Sequence, residues 1–498
     1  MTGNTVEQQS NTGHKYPADT GHKYPTDVGH MSPTDVGHKY PADIEHKYPT
    51  DDCAVKEKSG SSVLSRRGFV RGALGVSAAM LAVSGGALLA GCKKEEEPSG
   101  SLVSRAVDPK DIPVLEVSDA QIIKAIEFPE VPVDNYLQLT STFYLPVGSL
   151  AHYIDSDLVL VLLPGEQGQS LRQIGLLDLH TGEVTIVVEK TIGSGRNVVI
   201  YDARASKTRL IWVEVDLGEL SWKTYVAPIS EGEPGTKVLG ITMLVEEGSA
   251  DYEPPMLAAY ENKVYWTVMP MATGKAYQED SYLRTIPHNR DISNGQAEIR
   301  TALISHGRMI TNPLITEGIV TVVPRVDTTN IYYQLTALNY TDDKEVAYEV
   351  LPQSVRVSDA VYLKGGFSFS IENKYKHAGG ISNVGTYRQL ADGNYLYVSK
   401  PPTNAIVNLG DCLVVKSTSS IIGINPVKNE LFILRPPQNC SDFGEALVGW
   451  GVMNRIILYS VRMKEAGRGA DTGVIRVFDK IKPVEESAVE ENLDNEGQ

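Results

Sequence analysis

The sequence predicts an all-β fold, a β-propeller of seven blades whose ring is closed by a strand from the N-terminal side. The first observation is a recurring apolar strand opened by a polar residue or glycine: Asp157-Leu-Val-Leu-Val, Arg209-Leu-Ile-Trp-Val, Lys263-Val-Tyr-Trp-Thr, Gly318-Ile-Val-Thr-Val, Gly366-Phe-Ser-Phe-Ser, Asp411-Cys-Leu-Val-Val and Arg455-Ile-Ile-Leu-Tyr. Their starts lie 52, 54, 55, 48, 45 and 44 residues apart, the length of a repeated four-stranded unit. The second is a hairpin that follows them. Leu177-Asp178-Leu-His-Thr-Gly182-Glu183-Val184-Thr-Ile186 aligns without a gap on Ile424-Asn425-Pro-Val-Lys-Asn429-Glu430-Leu431-Phe-Ile433, and Leu338–Val346 fits with one extra residue. Each is a strand, a polar turn that tolerates left-handed backbone, and a second strand. The third is that convincing amphipathic helices are few.

The elements follow in order. Gly193-Ser-Gly195 links units one and two, and Trp212 and Trp266, at equivalent strand positions, are expected to pack between blades. The seventh unit runs out of chain after Thr472–Phe478, its third strand, so a fourth must come from elsewhere. Tyr136–Leu145, of alternating character and just ahead of unit one, is the strand expected to remove that exposed edge. A six-bladed ring or a twisted pair of β-sandwich sheets would use similar strands and stays open as an alternative. The expected organisation is residues 1–64, disordered and repetitive; 65–91, a signal peptide; 92–135, lipidated N-terminus and tether; 136–480, propeller; and 481–498, a disordered tail.

The signal assignment comes from Ser65-Arg66-Arg67-Gly68-Phe69-Val70-Arg71, the uncharged stretch Gly72–Gly91, and Leu89-Ala90-Gly91-Cys92. These resemble the lipoprotein signals of the bacterial twin-arginine pathway, with Val70 and Arg71 in place of the usual Leu and Lys. The resemblance implies recognition of Arg66, Arg67 and Phe69 by the twin-arginine translocase, export in folded form, cleavage before Cys92 and a diacylglycerol thioether on Cys92. Its product is an extracytoplasmic protein held on the cell membrane by lipid. The alternative is an uncleaved transmembrane anchor flanked by cations.

Upstream, an eight-residue unit repeats five times from Gly13, and carries half of the chain's ten histidines. Pro in every unit and few aliphatic side chains leave too little to bury, so disorder is expected in preference to a metal site. A translation start nearer Arg66 is the alternative account of the repeats. Residues 1–91 hold nine cations and nine carboxylates, so the whole net charge of −16 falls on residues 92–498. That acidity argues against nucleic-acid binding. Glu485–Glu496 alone contributes six carboxylates and no cation.

The propeller itself resembles, in architecture, the exported TolB-like and quinoprotein-like propellers, with Asp178-x-x-Thr181-Gly182 matching the turn those repeats use. The tryptophan that docks quinoprotein blades is missing at matching positions, which argues against a quinone cofactor. No nucleophile elbow, zinc-binding His-Glu-x-x-His or phosphate-binding glycine loop occurs. His152, His180, His288, His306 and His377 are scattered singly, so no catalytic or metal-ligating residue is assigned and no cofactor is expected. Cys412 and Cys440 fall at opposite ends of the ring on this strand assignment, and whether they are bonded stays open.

Loops joining second to third strands gather at one end of a propeller, where ligands usually bind. Here they are 269–280, 324–330, 372–384 and 464–471, and they carry the candidate binding residues Tyr277, Asp280, Arg325, Asp327, Tyr375, Lys376 and His377. Opposite charges beside aromatic rings suit a protein or polar ligand. The favoured expectation is a monomeric, non-catalytic binding or assembly module. The alternative is an exported hydrolase or lyase acting on extracellular polymer, with a Ca²⁺ ion held by acidic residues of the same face. Replacing Arg66 and Arg67 by Lys should retain the chain inside the cytoplasm, and Cys92→Ala should free the exported chain from the membrane fraction. Cell fractionation with protease accessibility checks both.

Overall fold

A computed structural model describes residues 113–481, apart from 166–169, 233–235, 274–278, 289–291, 293, 328, 400–405 and 465–470. Seven sheets follow one another along the chain, each built from consecutive antiparallel strands, and those of blades five and six each carry one further strand added in parallel at an edge. The seven apolar runs are the second strands: Leu158–Pro164, Arg209–Asp216, Lys263–Pro270, Ile319–Val322, Gly366–Ile371, Cys412–Lys416 and Arg455–Arg462. Seven blades are therefore present, as expected, and the six-bladed alternative is excluded.

Each run is continuous rather than alternating because the strand is covered on both faces. In blade one Val159 and Val161 face the core shared with blades six and seven, while Leu160 and Leu162 face blade two. In blade two Leu210 and Trp212 look back to blade one, while Ile211 and Val213 look forward to Trp266 of blade three. Each such buried aliphatic side chain contributes about 1.5–3 kcal/mol. The stacking of blades is thus the hydrophobic core.

Closure of the ring follows the sequence expectation. Leu137–Pro146 pairs antiparallel with Thr472–Lys480, from Leu137 opposite Lys480 to Pro146 opposite Thr472. The N-terminal strand thereby becomes the outer strand of blade seven. Residues 113–135 were expected within the tether; instead they form a belt on the outer edges of the preceding blades. Val114 bridges Val350 of blade four, Ile122–Lys124 pairs parallel with Tyr395–Tyr397 of blade five, and Glu130 bridges Leu431 of blade six. Such isolated contacts leave no strand periodicity for a sequence reading to find.

At the end opposite the long loops, every blade grips the next. Lys207 pairs with Asp155 at 2.9 Å, the Thr208 hydroxyl donates to the Glu261 carbonyl at 2.7 Å, and Tyr362 N–H donates to Thr321 Oγ1 at 2.8 Å. Lys364 Nζ donates to the Gly410 carbonyl at 2.9 Å, Met453 N–H to the Asn408 carbonyl at 3.0 Å, and Arg455 Nη1 to the Ser156 carbonyl at 2.9 Å. Between blades three and four the latch is a buried ion pair. Lys263 Nζ donates to Asp343 at 2.7 and 2.8 Å and to the Tyr340 carbonyl at 2.6 Å. The tight turns that hold some of these groups need left-handed backbone at consecutive residues, as at Glu317-Gly318 and Lys364-Gly365.

Cys412 is buried in its second strand, Cys440 lies in the connection from blade six to blade seven, and the two thiols are free. Lys263→Ala would strand the Asp343 carboxylate between blades and should lower the unfolding free energy by about 3 kcal/mol. The neighbouring Lys344→Ala, which removes only a surface pair with Asp342, should leave the urea midpoint where it is.

Candidate functional site

The loop-bearing end of blades three to five holds the candidate residues, and the structure joins most of them in two groups. Asp280, at the foot of the blade-three loop, meets His306 with Oδ1 3.5 Å from Nδ1. The His306 backbone N–H donates to the Arg325 carbonyl at 2.9 Å, and Arg325 N–H donates to Ser305 Oγ at 2.8 Å. Arg325 then reaches along its own loop, Nη2 lying 3.4 Å from the Asn330 carbonyl. Asp327 is buried beside it. Burial alone would push the Asp327 carboxyl up, but it is outweighed: N–H groups of Thr329 and Asn330, the Asn330 amide and the Arg325 charge hold it below the ordinary range. Thr329 N–H donates to Oδ1 at 2.7 Å and Asn330 Nδ2 to Oδ2 at 3.2 Å, so this carboxylate staples its own loop.

The second group belongs to blade five. His377 Nε2 lies 2.8 Å from the Gln353 carbonyl, and its ring packs edge-on against Tyr375 with centroids 6.1 Å apart. Tyr375 accepts the Arg356 N–H at 3.2 Å, and Lys376 stands exposed between the two rings' residues. Gln353 Nε2 lies 3.5 Å from Asn330 Oδ1 and connects the groups. Tyr277 lies outside the described residues.

The belt sets the position of the blade-five loop. Gly380 N–H donates to the Val117 carbonyl at 2.7 Å. A Cβ at Gly379, whose φ is +56°, would sit 2.5 Å from that carbonyl oxygen, and one at Gly380 would sit 2.7 Å from the Ser118 oxygen. Two glycines are what let the belt backbone pass this close. Tyr375, Lys376 and His377 are therefore held from beneath by the segment that precedes the ring.

Sequence reading missed what happens inside the ring. First-to-second connections span two to four residues in six blades but seven, 448–454, in blade seven. That longer connection crosses the channel as a plug. Gly451–Val452 pairs parallel with Val407–Asn408 of blade six, Trp450 Nε1 donates to the Ile315 carbonyl of blade four at 3.2 Å, and Val452 N–H donates to Thr316 Oγ1 at 3.1 Å. The Gly449 backbone lies against Tyr153 of blade one. The tryptophan and glycine in an over-long turn were the available signal.

Also missed were two aspartates on the first strands, at Asp202-Ala203 of blade two and Asp359-Ala360 of blade five. Each sits at a register shift and accepts the N–H of the following alanine. Asp202 is matched by Arg204 and, at 3.6 Å, by His152 of blade one. Asp359 is buried, and its Oδ2 makes no hydrogen bond among the described residues. Among those residues, too, no group of three or more His, Cys, Asp or Glu is placed to hold a metal ion.

No known protein family matches the sequence, and no curated protein matches it. Among solved structures, the polysaccharide lyase Uly1 aligns over 66% of this chain and 89% of its own, at 10% identity and a TM-score of 0.40. BamB from Moraxella catarrhalis aligns over 69% of this chain and 99% of its own, at 12% identity and a TM-score of 0.32. PorZ, a surface component of the type-IX secretion system of Porphyromonas gingivalis, aligns over 68% of this chain at 10% identity and a TM-score of 0.33. The chain spans 39% of the length of PorZ. These likenesses extend to the fold alone.

Burial pushes the Asp359 carboxyl well above the ordinary range, against a smaller downward pull from the Ala360 N–H. A carboxyl whose pKa is raised on folding costs nothing below its unfolded value, near pH 4, and costs progressively more as pH rises above it. Asp359→Asn should therefore stabilise the protein at pH 7, by about 1–3 kcal/mol, and confer little at pH 4. Thermal unfolding of both forms across that range checks the sign.

Proposed function

We propose that this chain is exported in folded form, anchored to the membrane through Cys92, and uses the loop-bearing end of blades three to five as a binding or assembly surface for a protein or polar ligand. The observation that carries the reading is the way the loops are held before any ligand arrives. Asp327 and Asn330 brace one loop, Val117 braces the next, and Gln353 ties the two together. A surface held in this way avoids an ordering cost of about 0.5–1.5 kcal/mol for each side chain a partner would otherwise immobilise. It offers the exposed Lys376 charge beside the Tyr375 and His377 rings, with the Asp280 carboxylate held against His306 in the other group.

Export and anchoring rest on Arg66, Arg67, Phe69 and Cys92, which lie outside the described residues. The charge balance of residues 92–498 supports a body that stands off an anionic membrane.

Lys376 and His377 are exposed, so Lys376→Glu with His377→Ala should leave the fold intact and cost no more than the surface hydrogen bond from His377 to the Gln353 carbonyl, about 1 kcal/mol. In cells, crosslinking through the blade-five loop should capture an extracytoplasmic partner at least tenfold less in this double variant. A partner captured equally by both forms would place the binding surface elsewhere. Hydrolysis or cleavage of a polysaccharide by the purified protein, lost in the double variant, would replace this reading with the enzymatic one.

A further inference from the structure

The belt meets a new blade every eight residues. Val114 bridges Val350 of blade four, Ile122 pairs with Tyr395 of blade five, Glu130 bridges Leu431 of blade six, and Gln138 pairs with Asp479 of blade seven. The residue after each contact is aliphatic: Leu115, Ile123, Val131 and Leu139. The first three pack in turn into the cores between blades four and five, between five and six, and around blades six, seven and one. An eight-residue apolar repeat thus matches the angular step of the ring. In the sequence this repeat runs one step further upstream, to Val107, and stops there, because Ser99 occupies the next position.

We propose that residues 102–107 carry the belt onto blade three, with the segment alongside its outer strand Arg300–Ser305 and Val107 in the seam between blades three and four. Direction and distance both favour this occupant. Going back along the belt, each eight residues retreat by one blade, and blade three is the next. Eight extended residues reach about 26–29 Å, and the belt already makes that step three times. The receiving edge is open: among the described residues no strand pairs with the outer side of Arg300–Ser305. An unpaired edge is a template for strand addition, and blades four to six already accept the same parallel addition from this segment. Ile299, exposed beside the strand, and the aliphatic Leu102, Val103 and Val107 match in chemistry.

This docking does not depend on the proposed function. Taken with an anchor at Cys92, it would leave the nine residues 93–101 between lipid and belt, a reach of roughly 35 Å at most. The propeller would then sit within about one of its own diameters of the membrane.

Hydrogen exchange in the full chain tests it. Val107→Asp should speed exchange of edge amides in Arg300–Ser305 at least tenfold and leave Tyr395–Ser399 of blade five unchanged. Identical rates in both chains would overturn the proposal. So would protection of Arg300–Ser305 that persists in the variant and falls on dilution, since a second copy would then cover the edge. If the variant loosens both strands, a photo-crosslinker in place of Val107 decides: an adduct with the 300–305 peptide upholds the docking, and an adduct anywhere else overturns it.

Discussion

The pairing of Leu137–Pro146 with Thr472–Lys480 is the contact on which the rest of the molecule depends. Each blade is apolar on both faces, so every blade needs a neighbour on either side, and only a closed ring supplies two neighbours to all seven. The pair brings together segments more than 320 residues apart, but closure entropy grows only logarithmically with loop length. A long antiparallel ladder, with Leu137, Leu145, Ile475 and Val477 buried in the core shared by blades six, seven and one, is well suited to offset it. Closure also removes an edge that would otherwise invite association.

With the ring closed, its two ends are built differently. One end carries short turns and a complete circuit of blade-to-blade latches, from Lys207 and Asp155 round to Arg455 and Ser156, with Trp450 and Gly451 crossing the channel behind them. The other end carries the longer loops, whose polar groups are held within loops and between neighbouring loops. The first end stabilises the fold and the second is free to vary without opening the ring. The belt links them, because the segment that leads into the closing strand is also the one that lies under the loop bearing Tyr375 and His377.

Much of this was legible in the chain. The second strands announced themselves because burial on both faces turns a strand into an unbroken apolar run, as at Leu158–Leu163, and the hairpin at Asp178–Glu183 because its turn demands glycine and polar residues. The closing strand was legible from a deficit, a seventh unit with three strands. The candidate face was legible only as a set of loops. That Asp280 meets His306, or that Gln353 joins Asn330 to the His377 loop, depends on which blades stand side by side, and no local pattern records it. The plug and the belt escaped because each touches its neighbours at one to three residues per blade, too sparsely for a period of two.

The sequence by itself determined the class of fold and pointed to seven blades and to the strand that closes them, since these follow from burial patterns and turn chemistry within about fifty residues; the structure excluded the six-bladed alternative. The expectation of export likewise rests on contiguous residues, Ser65–Cys92. Tertiary structure alone decided that residues 113–135 belong to the folded body, that Trp450 reaches Ile315 of blade four, that Cys412 and Cys440 stay unbonded and that Asp359 is buried with its Oδ2 unpartnered among the described residues. Each of those outcomes depends on distances between residues tens to hundreds of positions apart, which the chain specifies only through the closed ring as a whole.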